Sequence, residues 1–374
     1  MPRFKKLNEF IPVLFGLIFL GIQSSFIQDL PDRRVSAEAN EPIRIGLLVS
    51  NDPAKDSLSL EAIHAVKLAV KKINEEGGVS GRSVELITKS SEADWGAGAK
   101  KSVELIYDDK VAAIIGSLNG QNAHLVEMAV AKAQVVFIST RATDPTLSGA
   151  NIPWFFRVIP NDLQQADQLV THIYKTKNLQ LLAVVSSDMY DHEMGSGSFL
   201  RVSRDYGYPE PELYSYEHKK PEFDEIIQSI RVNSLDGITF YGYPEHVKKF
   251  RQKMDSSGIQ VPLFAPLSIL DTADPGLRQY ISSHVTHICL DSRFDERAEH
   301  FNSQFEEVYG YKPGNIAKYS YDGANVLLES FKAGAFESES ITGKLTGISG
   351  LSAVTGDITF LENGDVQNMT VVCQ

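Results

Sequence analysis

Two short stretches carry residue types that could hold an anion. In "LNGQNA", residues 118–123, a Gly and two Asn open a helical pattern directly after the apolar run "VAAIIGS". Backbone N–H groups left free at such a helix start suit a carboxylate. In "TRATDP", residues 140–145, Arg141 stands two positions before Thr143. Arg141 can clamp a carboxylate with two parallel hydrogen bonds, and Thr143 can donate both its hydroxyl and its amide to an anion. Each residue also has an ordinary reading, Thr143 as a turn or cap residue and Arg141 as a solvated loop charge.

Groups for catalysis are less well placed. The nine histidines are scattered, and the nearest pair, His284 and His287, stands at i and i+3 in an expected strand, on opposite faces. "GSGS" at 195–198 is not a G-x-S-x-G nucleophile elbow and does not follow a strand directly. No G-x-x-x-x-G-K-[ST] loop occurs, and no G-x-G-x-x-G follows "IRIGLLV". Neither an enzyme, a metal site nor a cofactor is expected.

The elements around the two stretches alternate. "IRIGLLV" (43–49) is a continuous apolar strand, and Ile63, Val66, Val70 and Ile73 then place one apolar stripe on a helix. That helix stops at "INEEGGVSGRSVELI" (73–87), where Gly77 or Gly78 can take the left-handed conformation of a helix end and Gly81 turns the chain into the next strand. "SVELIT", "VAAIIGS" and "VVFIST" follow as strands with helices between them. Solid Val/Ile/Leu runs separated by helices indicate a parallel sheet covered on both faces. After the turn-rich stretch 141–162 the alternation restarts through "LQLLAVVSS", a helix around "SFLRVSRDYG", "GITFYG" and "PLFAPL". The expected fold is α/β, with two doubly wound parallel-sheet lobes. Two long helices follow "VTHICLD", and "GDITFLENGDVQNMTVVC" reads as a hairpin turning at Asn363-Gly364.

The 374 residues, 43% apolar and 22% charged, suffice for two core-bearing lobes. A net charge of −12 with no dense basic tract argues against a nucleic-acid partner. The basic start (Arg3, Lys5, Lys6) and the apolar run Phe10 to Ile22 form a secretory signal pattern, with the leader taken as 1–38 and its cleavage point poorly marked. A membrane anchor is the alternative, but a span needs about 20 apolar residues. No cysteine lies near the run, so the mature start is not expected to be lipid-anchored. Cys289 and Cys373 can form a disulfide or stand as two buried thiols.

In order, "INEEGGVSGRSVELI", "AAIIGSLNGQNA", "VVFISTRATDPTL", "FFRVIPND", "YGYKPGNIAKYSYDGANVL" and "GDITFLENGD" resemble the type I periplasmic solute-binding proteins, in particular the leucine/isoleucine/valine-binding branch. The resemblance covers about residues 41–374. It implies two lobes joined by a three-crossing hinge that close on a ligand in the cleft between them. Lobe 1 would be 41–158 plus 292–357 and lobe 2 159–291 plus 358–374, with both cysteines in lobe 2. It further implies a periplasmic protein that delivers a small molecule to an ABC transporter permease. A sensory module that passes the closed state to a membrane receptor or kinase shares the fold.

Carried over residue by residue, the resemblance assigns the family's carboxylate-binding serine to Gly120, with Asn119, Gln121 or Asn122 as substitutes for the missing hydroxyl. The ligand-binding threonine falls on Thr143, in the loop with Arg141 and Ala142, and two cleft tyrosines fall on Tyr190 and Tyr243. The glutamate that holds the ligand's ammonium in amino-acid binders is replaced by Leu267. A buried ammonium without a carboxylate costs several kcal/mol. Either Asp188, Asp191 or Asp271 substitutes, or the ligand is another carboxylate, an aromatic acid or a small polar metabolite.

Overall fold

The computed structural model describes residues 41–91, 97–291, 293, 295–367 and 370–373. The expected leader, 1–38, lies outside the described residues, among which no helix is long and apolar enough to cross a membrane.

The first lobe is built on β1 (Ile43–Val49), α1 (Ser57–Glu75), β2 (Val84–Ser90), α2 (Ala97–Val103), β3 (Ala113–Ser117), α3 (Gly120–Ala133), β4 (Val136–Ser139), α4 (Pro145–Gly149) and β5 (Phe155–Arg157). Its strands are parallel in the order β2-β1-β3-β4-β5. β3 and β4 are buried along their whole length, because helices cover both faces of the sheet. The stripe Ile63, Val66, Val70 and Ile73 is buried as the spacing requires. Past the end of α1, Gly77 and Gly78 have φ of +98° and +74°, so the expected left-handed stop is present.

The second lobe runs through α5 (Asp162–Val170), β6 (Leu182–Ser187), α6 (Tyr190–Asp205), β7 (Glu212–Tyr216), α7 (Asp224–Val232), β8 (Gly237–Tyr241), α8 (Pro244–Ser256), β9 (Leu263–Ala265), α9 (Pro275–His284) and β10 (Thr286–Leu290). The chain continues through α10 (Asp295–Tyr309), α11 (Asn315–Lys332), α12 (Ser338–Thr346) and the antiparallel pair β11 (Leu351–Ser352) and β12 (Asp357–Ile358). It ends in β13 (Thr370–Cys373), antiparallel to β10 at the edge of the second sheet, whose order is β13-β10-β9-β8-β6-β7. α11 packs along α1 and so belongs with the first sheet. The chain therefore crosses between the sheets after β5, after β10 and between β12 and β13. Cys289 and Cys373 are joined as a disulfide, which fixes β13 to β10.

Three expectations need correction. His284 ends helix α9, with its ring stacked on Tyr280, and only His287 lies in the strand. "GSGS" is inside α6, which starts eight residues before "SFLRVSRDYG". The last segment turns at Asn363-Gly364, but its arms share little pairing beyond the Phe360–Val366 bridge. Instead β12 pairs with β11 and β13 with β10.

Two of the crossings are locked by a buried ion pair. Arg157, fully buried at the end of β5, sends Nε to Asp365 Oδ1 at 2.8 Å and Nη1 to the carbonyls of Ala142 and Asp144 at 3.2 and 2.7 Å. Asp365 also accepts from Ser148 Oγ and Asn161 Nδ2, both at 2.8 Å. Removing one partner of such a pair strands the other charge. Arg157→Met is expected to cost about 3–5 kcal/mol in urea unfolding, and Arg157→Met/Asp365→Asn to recover part of it; a loss below about 1 kcal/mol for the single variant contradicts this account of the hinge.

Candidate functional site in the interlobe cleft

In an open parallel sheet, loops diverge to opposite faces where the strand order reverses, leaving a crevice at the carboxyl ends. In the first sheet that point lies between β1 and β3, in the second between β6 and β8. The loops there carry Ser50 to Asp56 and Leu118 to Asn119 on one side, and Asp188 to Met189 and Gly242 to Tyr243 on the other. The β4–α4 loop, with Arg141 to Asp144, borders the first crevice.

Asn119 caps α3, accepting from the Asn122 amide at 2.9 Å, and its own amide is held by Ser50 Oγ at 3.1 Å. Gly120 is the first residue of α3, and its N–H donates across the cleft to Asp191 Oδ1 at 2.9 Å. Gln121 is exposed on the first turn, and Asn122 is buried. Ala142 is buried, its carbonyl taken by Arg157. Thr143 accepts the Asp162 amide at its carbonyl at 2.8 Å.

The guanidinium of Arg141 makes no hydrogen bond or ion pair among the described residues, yet its charge acts on Asp56, Asp191 and Asp271. Burial works against ionisation of Asp56, but hydrogen bonds from Ser59 and Asn51 and the Arg141 charge outweigh it and hold the carboxyl below its usual range. Burial pushes Asp271 up to about 6 against the pull of Arg141 and Arg278. It also raises Asp191, which the Gly120 amide and Arg141 oppose. Asp162 is pushed by burial up to about 7, and its Oδ2 has no hydrogen-bond partner. Arg141 thus acts on Asp56, Asp191 and Asp271, while Arg157 acts on Asp162 and Arg278 on Asp271.

Tyr190 donates to Asp144 Oδ2 at 2.6 Å across the cleft. Asp144 also receives the Thr146 amide at 2.8 Å and lies 2.8 Å from His124 Nε2. Tyr243, 37% exposed, stands edge-on between His192 and His246 at 5.0 and 5.3 Å. His192 is kept neutral by burial, which lowers it to about 4.

The structure thus brings Asn119, Gly120, Arg141, Thr143, Tyr190 and Tyr243 to the facing ends of the lobes. Leu267 is different: it is fully buried in a short 3₁₀ turn, with its amide held by Gln165 Oε1 at 3.0 Å. Of the three candidate replacement acids, Asp191 and Asp271 feel Arg141, whereas Asp188 is tied to His218 at 2.6 Å on the rim. Asp144, Asp162 and His124 escaped the sequence reading. The signal for Asp144 was present, since an Asp before Pro at a strand end reads as a helix cap. Among the described residues no group of three His, Cys, Asp or Glu converges as metal ligands. A separate cavity of about 820 Å³ opens on the outer face of lobe 1, lined by Ile73, Arg297, Phe301, Tyr321 and Val326. Arg297 there is already paired with Asp357 at 2.7 Å.

Two mainly parallel-sheet lobes whose switch-point loops face each other over a charged cleft have the architecture of a periplasmic-type binding protein. The chain belongs to the periplasmic binding protein family, whose model matches residues 42–372. It is a family of solute-binding proteins, not of enzymes. A chemotactic signal transduction system substrate-binding protein, BasB of Halobacterium salinarum, is 33% identical over 135 residues, covering 34% of this chain and 32% of that protein. The branched-chain amino acid transporter substrate-binding protein LivJ of Streptococcus pneumoniae, solved with isoleucine, superposes with a TM-score of 0.74 at 19% identity, covering 88% of this chain and 99% of that one. An ABC transporter solute-binding protein of Rhodopseudomonas palustris, solved with 3,4-dihydroxybenzoic acid, gives 0.72 at 18% identity, covering 89% and 95%.

The His124–Asp144 contact has a pH signature. Asp144, and then Glu127, raise His124 to about 9. The stabilisation from its protonated form is complete below the unfolded value of about 6.5 and fades as pH rises through the folded value. The melting-temperature gap between wild type and His124→Gln is expected to be widest near about pH 6 and to close by about pH 10. A gap that is constant over that range contradicts the pairing.

Proposed function

We propose that this chain is an extracytoplasmic solute-binding protein that captures a small carboxylate-bearing solute, an amino acid foremost, and delivers it to the permease of an ABC importer. The lobes are taken as 41–158 with 292–357 and 159–291 with 358–374. The observation that carries this reading is Arg141, whose guanidinium is unengaged while its charge is felt by Asp56, Asp191 and Asp271. A planar guanidinium with free donors receives a carboxylate bidentately. Isoleucine and 3,4-dihydroxybenzoic acid, the ligands solved with two neighbours, both carry that group. The acidic surroundings favour the amino acid, because a purely anionic ligand would meet Asp191 and Asp271 without a cation of its own. The ammonium is assigned to Asp271, which fills the role left vacant by Leu267. Thr143, Tyr190 and Tyr243 are the proposed wall, with Asn119, Gly120, Gln121 and Ala142 as its backbone frame.

The amino-terminal signal pattern supports export to the periplasm. The local similarity to BasB favours a second reading, in which the closed form is presented to a chemotactic signalling partner. Loss of uptake of the identified solute on deleting the gene supports import; intact uptake with lost chemotaxis supports signalling.

A thermal-shift screen of the mature protein tests the ligand assignment. A ligand at about 100 times its dissociation constant adds about 2.7 kcal/mol, enough to move the midpoint visibly. Amino acids are expected to shift wild type, and Arg141→Gln is expected to abolish the shift while melting as a folded protein. An equal shift in Arg141→Gln contradicts the carboxylate assignment.

A further inference from the structure

The start of α3 offers the kind of amide site that binds anions, and in this protein it already holds one. The Gly120 N–H donates to Asp191 Oδ1 at 2.9 Å, across the cleft from the other lobe. A Cβ at position 120 would lie 2.8 Å from Asp191 Oδ1 and 3.1 Å from the Tyr190 ring, so any side chain there would push the acid aside. The neighbouring residue repeats the connection, with Tyr190 OH donating to Asp144 Oδ2 at 2.6 Å. Asp144 is itself fixed by the Thr146 amide and His124, so it is a rigid acceptor. On another rim of the cleft, Arg278 of α9 donates Nη1 to the carbonyl of Pro313, which precedes α11, at 3.2 Å.

We infer that Asp191 is a built-in substitute for a ligand anion: its carboxylate occupies the α3 amide site and holds the lobes together, so an incoming carboxylate is received at Arg141. This rests on the cleft being the binding site, as proposed above, and adds that closure is driven in part by the protein itself. In a cleft where only the ligand bridges the lobes, the ligand-free protein stands open. Three side-chain contacts bridge the lobes here, and they favour the closed form in the free protein as well. Asp191 also sets specificity, since a ligand whose anion needs the α3 amide must first displace it.

The test uses ligand-free protein and therefore stands apart from the identity of the ligand. The mature chain is stripped by unfolding and refolding, then measured by small-angle X-ray scattering and by amide exchange of the segment 118–124. Wild type is expected to be compact, with slow exchange at the start of α3. Asp191→Ala removes the acid, and Gly120→Ala wedges a methyl against it; both are expected to enlarge the radius of gyration and speed exchange at 118–124. Tyr190→Phe is expected to fall between them and wild type. A ligand-free wild type as expanded as Asp191→Ala, or exchange at 118–124 unaltered in either folded variant, overturns the inference. If one variant fails to fold, the other decides, and the wild-type measurement needs neither.

Discussion

The buried pair Arg157–Asp365 is the constraint on which the cleft depends. It joins the crossing after β5 to the one before β13, and with the same guanidinium it holds the carbonyls of Ala142 and Asp144. Burying two charges is seldom a gain in net stability over a well-packed apolar alternative. Its effect here is positional. The loop that bears Arg141, Thr143 and Asp144 is attached to the crossing segments rather than left to solvent.

From that anchor the charge pattern follows. Arg141 leaves a loop held by Gly116 at Thr140 on one side and by Arg157 at Ala142 and Asp144 on the other, and its charge acts on Asp56, Asp191 and Asp271. Both lobes contribute, because the switch point of each sheet opens toward the other. In the cleft, burial raises Asp162, Asp191 and Asp271. Asp144, which burial also penalises, is saturated by His124, Tyr190 and Thr146 and lies well below the usual range.

Most of the fold was legible in the sequence because the buried parallel strands are unbroken apolar runs, and their connecting helices carry stripes. The failures are informative. β7, "ELYSY", is an edge strand with mostly exposed residues, so it lacks the run that marks its neighbours. The helix α6 was placed too late because "MGSG" reads as a breaker, whereas Gly195 is needed there for its close approach to Tyr241. In the site, loop membership was readable but engagement was not. Nothing in "LNGQNA" announces that its amide is met by Asp191, 71 positions away, and nothing in "FFR" or "ENGD" shows that Arg157 and Asp365 find each other over 208 positions. Pairings of that range are set by the tertiary fold and not by any local pattern.

The account's central claim is that Arg141 receives a carboxylate while Asp271 receives a cation. A crystal structure with the amino acid that gives the largest thermal shift tests it most directly. The account predicts the ligand's carboxylate in bidentate contact with Arg141, its ammonium against Asp271, and Asp191 still on the Gly120 amide. A ligand carboxylate on the Gly120 amide with Arg141 turned to solvent would contradict it, as would a ligand seated in the outer groove of lobe 1.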